Sequence, residues 1–340
     1  MLETLLRLCE TPAVSGREEA LRALIESQVK DYADCRVDAL GNLIVHKQGA
    51  QRAAKKVLLD AHMDEVGLIV TGANDDGTLT FATVGGIDVS VLMARRVVSY
   101  SGVYGVTLAK PVHLLDADER KKLPKKDTLV IDIGAKDREE ALRIVPPGEV
   151  FAFDSEPVRF GDNRLKARAI DDRAGCAVLL QLIKTPQPYD LTFSFSVQEE
   201  VGLRGARTAA YGEAPDAALV LEATTAADLP GAEGAQRVCC LGGGPAVSFL
   251  DSATLYERGL YRAAFDAAQR IGVPCQPKTA ATGGNDAGAI HTARGGVRTL
   301  ALSLPCRYLH SACCVIDCSD LEATAALAAE LAAQLASGAV

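Results

Sequence analysis

From residue 162 to the C-terminal end, amphipathic stretches alternate with short apolar runs, and this alternation restricts the fold more than any other feature of the chain. Helical spacing runs over 173–184, 205–211, 254–270 and, in an Ala/Leu-rich stretch, 320–336, with strands over 191–198, 217–222 and 299–304. Strands separated by helices are joined by crossovers, which predicts a mainly parallel sheet flanked by helices on both faces. The preceding stretch has a different texture. After Val57, short β-rich runs are broken by Gly and Asn/Asp turns: a hairpin turning at Asn74 to Gly77, then strands over Arg96 to Val106, Thr128 to Ile133 and Val158 to Phe160. At the start, leucines at helical spacing on either side of Pro12 to Gly16 predict a helix pair. The expected architecture is α/β, formed by residues 1–65 and 162–340. It is interrupted by a small all-β domain, residues 66–161, with its own core at Val84, Val97, Val98, Val103 and Ile131.

The 340 residues suffice for two such units. A composition that is 48% hydrophobic and 24% charged argues against a disordered or fibrous chain. Acidic residues outnumber basic ones, 44 to 36, and no Lys/Arg stripe is interleaved with aromatics, so nucleic acid and anionic membranes are not the expected partners. A small or peptidic substrate fits better. Glu3 and Arg7 interrupt the apolar pattern of the N-terminus, which lacks the form of a signal peptide. No apolar run approaches the ~20 residues a membrane span needs, and the expected location is cytoplasmic. The ten cysteines form no CxxC pair and read mostly as small buried hydrophobes.

Chemistry-bearing residues gather where strands end. Val57-Leu58-Leu59 runs into His62 and Asp64, LTFSFSV into Glu199 and Glu200, residues 217–221 into Glu222, and LALSL precedes His310. Open α/β sheets bind ligands beyond the carboxyl ends of their strands, so four strand ends deliver His or carboxylate groups to one edge. Any one of these is weak alone: an EE pair can be a solvated turn, and a single histidine a satisfied core residue. A fifth element, AIDDRAGC at 169–176, sets Asp171 and Asp172 at a helix start, where Asp is also a favoured cap. Two histidines with several carboxylates suit zinc, cobalt or manganese. The HExxH helix of mononuclear metalloproteases is absent. Asp64, two residues beyond His62, is placed to orient the imidazole. His46, His113 and His291 are assigned to no metal.

HMDEVG (62–67), AIDDRAGC (169–176), QEEVGLRGA (198–206), LEATTAADLPG (221–231), GGNDAGAIHTARGGV (283–297) and PCRYLHS (305–311) together resemble the M42 family of co-catalytic metallo-aminopeptidases, which includes glutamyl and tetrahedral aminopeptidases. The likeness extends through KPVHLLDADERKK (110–122) and LVIDIGAKDREEA (129–141), and so covers nearly the whole chain. The resemblance implies two divalent metal ions per subunit. Asp171 would bridge them, with a cis peptide to Asp172; His62 and Glu222 would complete one, and Glu200 and His310 the other. It implies Glu199 as general base, exopeptidase action on short peptides, and dimers assembling through the inserted domain into a tetrahedral dodecamer. The chain departs from the family pattern in three places. Glu222 stands where Asp is usual, Cys306 replaces a common Thr, and Ala312-Cys313-Cys314 replaces a Pro-containing sequence.

Other readings share the constellation. A carboxypeptidase, a deacetylase or another amidohydrolase could use the same metal ligands, and a non-catalytic binding protein could retain the fold. An endoglucanase needs opposed carboxylates and usually sugar-stacking aromatics, which a chain with no Trp and 5% aromatics supplies poorly.

Overall fold

Apolar runs and helical stretches assemble around one eight-stranded sheet, seen in a computed structural model that describes residues 1–281 and 283–340. The strands lie in the order 34–37, 43–47, 191–196, 57–62, 217–225, 298–306, 246–248 and 276–278. The four central strands are parallel. Strand 43–47 enters antiparallel beside 191–196, and 246–248 antiparallel beside 298–306. The sheet is therefore mixed, with parallel pairing at its centre and between 246–248 and 276–278, and the mainly parallel expectation holds only in part. Every residue of Val57–His62 is buried, as are eight of the nine in Ala217–Thr225, so helices cover both faces of these strands.

The alternation read from sequence appears as helices Ile170–Lys184, Arg204–Glu213, Arg258–Ile271 and Cys318–Ser337. The third starts four residues later than its periodicity predicts. Asp251 accepts from the amides of Ala253 and Thr254 and from the Tyr256 hydroxyl, folding 251–256 into a turn instead of a first helical turn. Helix Ile170–Lys184 packs on strands 57–62 and 217–225, and the N-terminal helices Leu2–Glu10 and Glu19–Val29 pack against it in turn.

Six strands between Gly67 and Phe153 close into a separate barrel. Its core holds Val97 and Ile131, with Val103 half-buried against them. Val84 instead joins a small cluster with Val14, Val150 and Ala152, and Val98 is half-buried outside both clusters. Two further differences from expectation concern this stretch. Arg96–Val106 is a hairpin, 96–99 with 104–108, whose turn uses a left-handed Gly102. Strand Val158–Phe160 lies outside the barrel and pairs with 164–167, which continues to 314–317. No helix among the described residues is long and apolar enough to cross a membrane. Five of the ten cysteines are buried, Cys313 is exposed, and all ten are free thiols.

Candidate metal centre

His62 is the last residue of its strand and is 1% exposed. Its Nδ1 donates to the Asp64 carbonyl at 3.0 Å, which turns Nε2 toward Asp171 Oδ1 at 3.3 Å and Glu222 Oε1 at 3.2 Å. The Asp64 carboxylate stands 3.6 Å from His62 Nδ1. Its hydrogen bonds go elsewhere: Oδ1 accepts from the Glu199 amide, and Oδ2 from the Glu200 amide and the Ser15 hydroxyl. Asp64 thus fixes the turn that follows strand Leu191–Ser196 and, through its backbone, the ring of His62.

Asp171 enters from the start of helix Ile170–Lys184, where Ala169 is left-handed and Asp171 itself is non-helical. The Asp171–Asp172 peptide is cis. Asp171 Oδ2 lies 3.4 Å from His310 Nε2, and Glu200 Oε1 lies 3.4 Å from the same atom. The five residues make two groups of potential ligands, His62/Asp171/Glu222 and Asp171/Glu200/His310, with Asp171 common to both. Glu222 sits inside its strand, which runs three residues further than the sequence reading. His310 is in a left-handed conformation on the loop between strands 298–306 and 314–317, and its Nδ1 donates to the Gly86 carbonyl at 2.7 Å. Gly86 follows barrel strand Leu79–Val84, so the barrel side of the molecule supplies the acceptor that aims this imidazole. The adjacent Gly85 has φ +82°, and a Cβ there would lie 2.8 Å from the Val66 side chain and 3.3 Å from that of Glu200.

Charge is strongly unbalanced here. Asp171, Glu199, Glu200 and Glu222 line one cavity with His310, and none forms an ion pair with a Lys or Arg among the described residues. Burial pushes the carboxyls of Glu199 and Glu200 up to about 8, and that of Glu222 well above the carboxylate range. Burial opposes the charge of His310, yet Asp171 and Glu200 lift it to about 10. Burial also opposes that of His62, which the Glu222, Asp171 and Asp64 carboxylates raise well above the ordinary imidazole value. Buried Glu222 Oε2 has no hydrogen-bond partner among the described residues. Oxygen and imidazole donors with an orphaned carboxylate oxygen fit divalent cations, which would neutralise what protons must otherwise balance.

Neighbouring charges are used differently. Glu65 is held by Arg168 and Arg173 and accepts from the Ala13 amide, while Arg173 also donates to the Leu8 carbonyl, tying the N-terminal helix beneath the site. His46 meets Glu213 at 2.8 Å, His113 lies in an exposed turn, and His291 Nδ1 bonds the Ala287 carbonyl. Ser15 and the Gly86 carbonyl could not be found from sequence, because a hydroxyl in a loop and a backbone oxygen carry no pattern. Lys278, which lines the same cavity, ends a three-residue edge strand too short to show a pattern and carried none either.

Histidines and carboxylates gathered at the carboxyl ends of parallel strands, on an α/β fold, are the hallmark of a metal-dependent hydrolase. The chain belongs to the M42 glutamyl aminopeptidase family, whose model matches residues 41–327. It is similar to the lysyl aminopeptidase of Pyrococcus furiosus, with 33% identity over 98% of this chain and 97% of the relative. A TET aminopeptidase of a marine-sediment Thaumarchaeota archaeon matches with TM-score 0.93 and 34% identity, over 98% of this chain and 96% of that one. The TET1 peptidase of Pyrococcus horikoshii, described as assembling into a tetrahedron or a large octahedral shell, matches with TM-score 0.86 and 36% identity, over 97% and 98%. The protein is accordingly a metal-dependent aminopeptidase.

Proposed function

We propose that this aminopeptidase works with two divalent metal ions, zinc or cobalt with manganese as a further candidate, held by His62, Asp171, Glu200, Glu222 and His310. The observation that carries the reading is Asp171, whose two carboxylate oxygens face two different histidines at 3.3 and 3.4 Å. When bound, such a pair polarises the scissile carbonyl and acidifies water. Glu199 lines the cavity beside the ligands without belonging to either ligand group, which suits it to take a proton from the attacking water and pass it to the leaving amine. Asp64 holds the backbone of Glu199 and Glu200 at the required spacing. The anionic cavity attracts a free N-terminal ammonium, which supports trimming of short peptides from their first residue. Family and relative are named for opposite charges, glutamyl and lysyl, so membership leaves the preferred residue open.

The same reading makes residues 66–161 an inserted unit through which copies of the chain associate, dimers assembling into a tetrahedral dodecamer; a TET1 peptidase described as a dodecamer and as assembling into a tetrahedron supports the closed assembly. The barrel's separate core and the exposed Tyr104, Val106 and Leu108 on one strand support it. Ten free thiols support a reducing, cytoplasmic setting.

The test is hydrolysis of aminoacyl anilides and their N-acetylated counterparts, with the metal-stripped protein and after addition of Zn²⁺, Co²⁺ or Mn²⁺. Metal-dependent cleavage of the free-amine substrates alone is expected. Equal cleavage of the N-acetylated series would overturn the aminopeptidase reading.

A further inference from the structure

Strand Leu191–Ser196 runs into a stretch whose amides are all held by side-chain oxygens. The amide of Val197 donates to Asn42 Oδ1 at 3.0 Å and that of Gln198 to Glu18 Oε1 at 3.2 Å. Those of Glu199 and Glu200 donate to Asp64 Oδ1 and Oδ2 at 2.9 and 3.1 Å. The carbonyls on the other side are taken by the chain that leads into the next helix: Val197 accepts from Gly205, Gln198 from Arg204, and Glu199 from Gly202 and Leu203. Gln198 is left-handed, a conformation that strains a non-glycine residue and persists where its surroundings fix it.

Glu18 is the acceptor that comes from furthest away in sequence. It caps the start of helix Glu19–Val29, is 4% exposed, and its Oε1 also accepts from the Gly16 amide at 2.7 Å. Burial pushes its carboxyl up to about 7, so the group is kept there against a desolvation cost. The loop that carries it is anchored from the barrel side. Tyr100, next after strand Arg96–Ser99, accepts from the Val14 amide at 2.6 Å and donates to the Arg17 carbonyl at 3.1 Å. Ser15 of the same loop donates to Asp64. Residues 14–18 thus supply one acceptor to the turn and brace the other.

Glu199 and Glu200 depend on this backbone unequally. Glu200 belongs to a ligand group, where a bound ion would orient its carboxylate. Glu199 belongs to none, so its carboxylate is placed by its backbone and the rotamers that backbone allows.

We propose that Glu18 is a positioning residue for the reaction: by holding the Gln198 amide it fixes the turn from which Glu199 reaches the attacking water. The proposal rests on the reading of Glu199 as general base, and it assigns Glu18 no proton transfer and no metal contact. A base must stand within hydrogen-bond reach of the proton it takes, and a misplacement of about 1 Å can cost about a hundredfold in rate.

The experiment measures kcat, KM and bound metal of the metal-loaded enzyme with the aminoacyl anilide that wild type cleaves fastest. Glu18→Met keeps the length of the side chain without its acceptor, and should lower kcat by about 10- to 100-fold with KM and metal content at the wild-type level. Glu18→Gln offers an amide oxygen to the same two N–H groups and should recover most of that loss. In a Glu199→Gln background, Glu18→Met should have little further effect, because residues acting as a unit are not additive. Tyr100→Phe frees the loop from the barrel without touching Glu18, and should lower kcat alone by a smaller factor. Wild-type kcat in Glu18→Met overturns the proposal, as does a loss carried by KM or by metal content. It is equally overturned if Glu18→Gln is no better than Glu18→Met, or if Glu18→Met costs the same factor in the Glu199→Gln background. Should Glu18→Met fail to fold, wild-type kcat in Tyr100→Phe overturns it. A Glu199→Gln enzyme near wild-type turnover removes the base reading and this proposal with it; in every other outcome that reading stands.

Discussion

Glu199 and Glu200 are consecutive, share a turn pinned by the Asp64 carboxylate, and are both pushed up to about 8 by burial, yet only Glu200 belongs to a ligand group. That difference separates their expected phenotypes. Glu199→Gln should lower kcat by roughly 10²- to 10⁴-fold while metal content stays at the wild-type level. Glu200→Gln should lower metal content itself, because it removes an anionic donor from a site whose affinity depends on charge. Steady-state kinetics with elemental analysis of the same samples distinguishes them; a Glu199→Gln enzyme near wild-type turnover would remove the base from the mechanism. Four of the proposed ligands, His62, Glu200, Glu222 and His310, were legible in sequence because they follow apolar runs that read as strands, whereas Asp171 stood at a helix start. Ser15, Gly86 and Lys278 were not, since they reach the site through loops, a carbonyl and an edge strand whose positions depend on the finished fold.

Among the elements, the barrel is where sequence reading was coarsest. Strand Val150–Phe153 closes it by pairing with 67–73 and 96–99, and all four of its residues are buried, so it shows none of the alternation that marks a half-exposed strand. Tyr104–Leu108 shows that alternation fully, with Tyr104, Val106 and Leu108 outward at 69%, 38% and 37% exposure. Three apolar side chains in a row on an outer face suit an interface between copies. Native mass measurement should therefore give multiples of the 35.7 kDa chain, and Tyr104→Glu with Val106→Glu should shift it toward the monomer. A fully active wild-type monomer would contradict the assembly reading. One helix start was displaced for a local reason: at 251–256 hydrogen bonds accepted by the side chain of one aspartate outcompete helical periodicity.

At the scale of the molecule, alternation of helices and strands identified the α/β class and the parallel centre of the sheet. It could not place strands 43–47 and 246–248, whose antiparallel entry makes the sheet mixed, because pairing direction depends on how the chain returns and not on residue pattern. Packing the barrel against the sheet has a chemical consequence, since His310 from one side is aimed by the Gly86 carbonyl from the other. The proposed metal centre thus draws on the whole chain, from Ser15 to His310, with two ions proposed to share Asp171. Turnover of a free-amine aminoacyl anilide by chelator-stripped protein, followed as metal is added in known equivalents, tests this most directly. Activity should be absent at the start and rise to a plateau at two equivalents per chain. Full turnover without metal, or a plateau reached at one equivalent, would contradict the account.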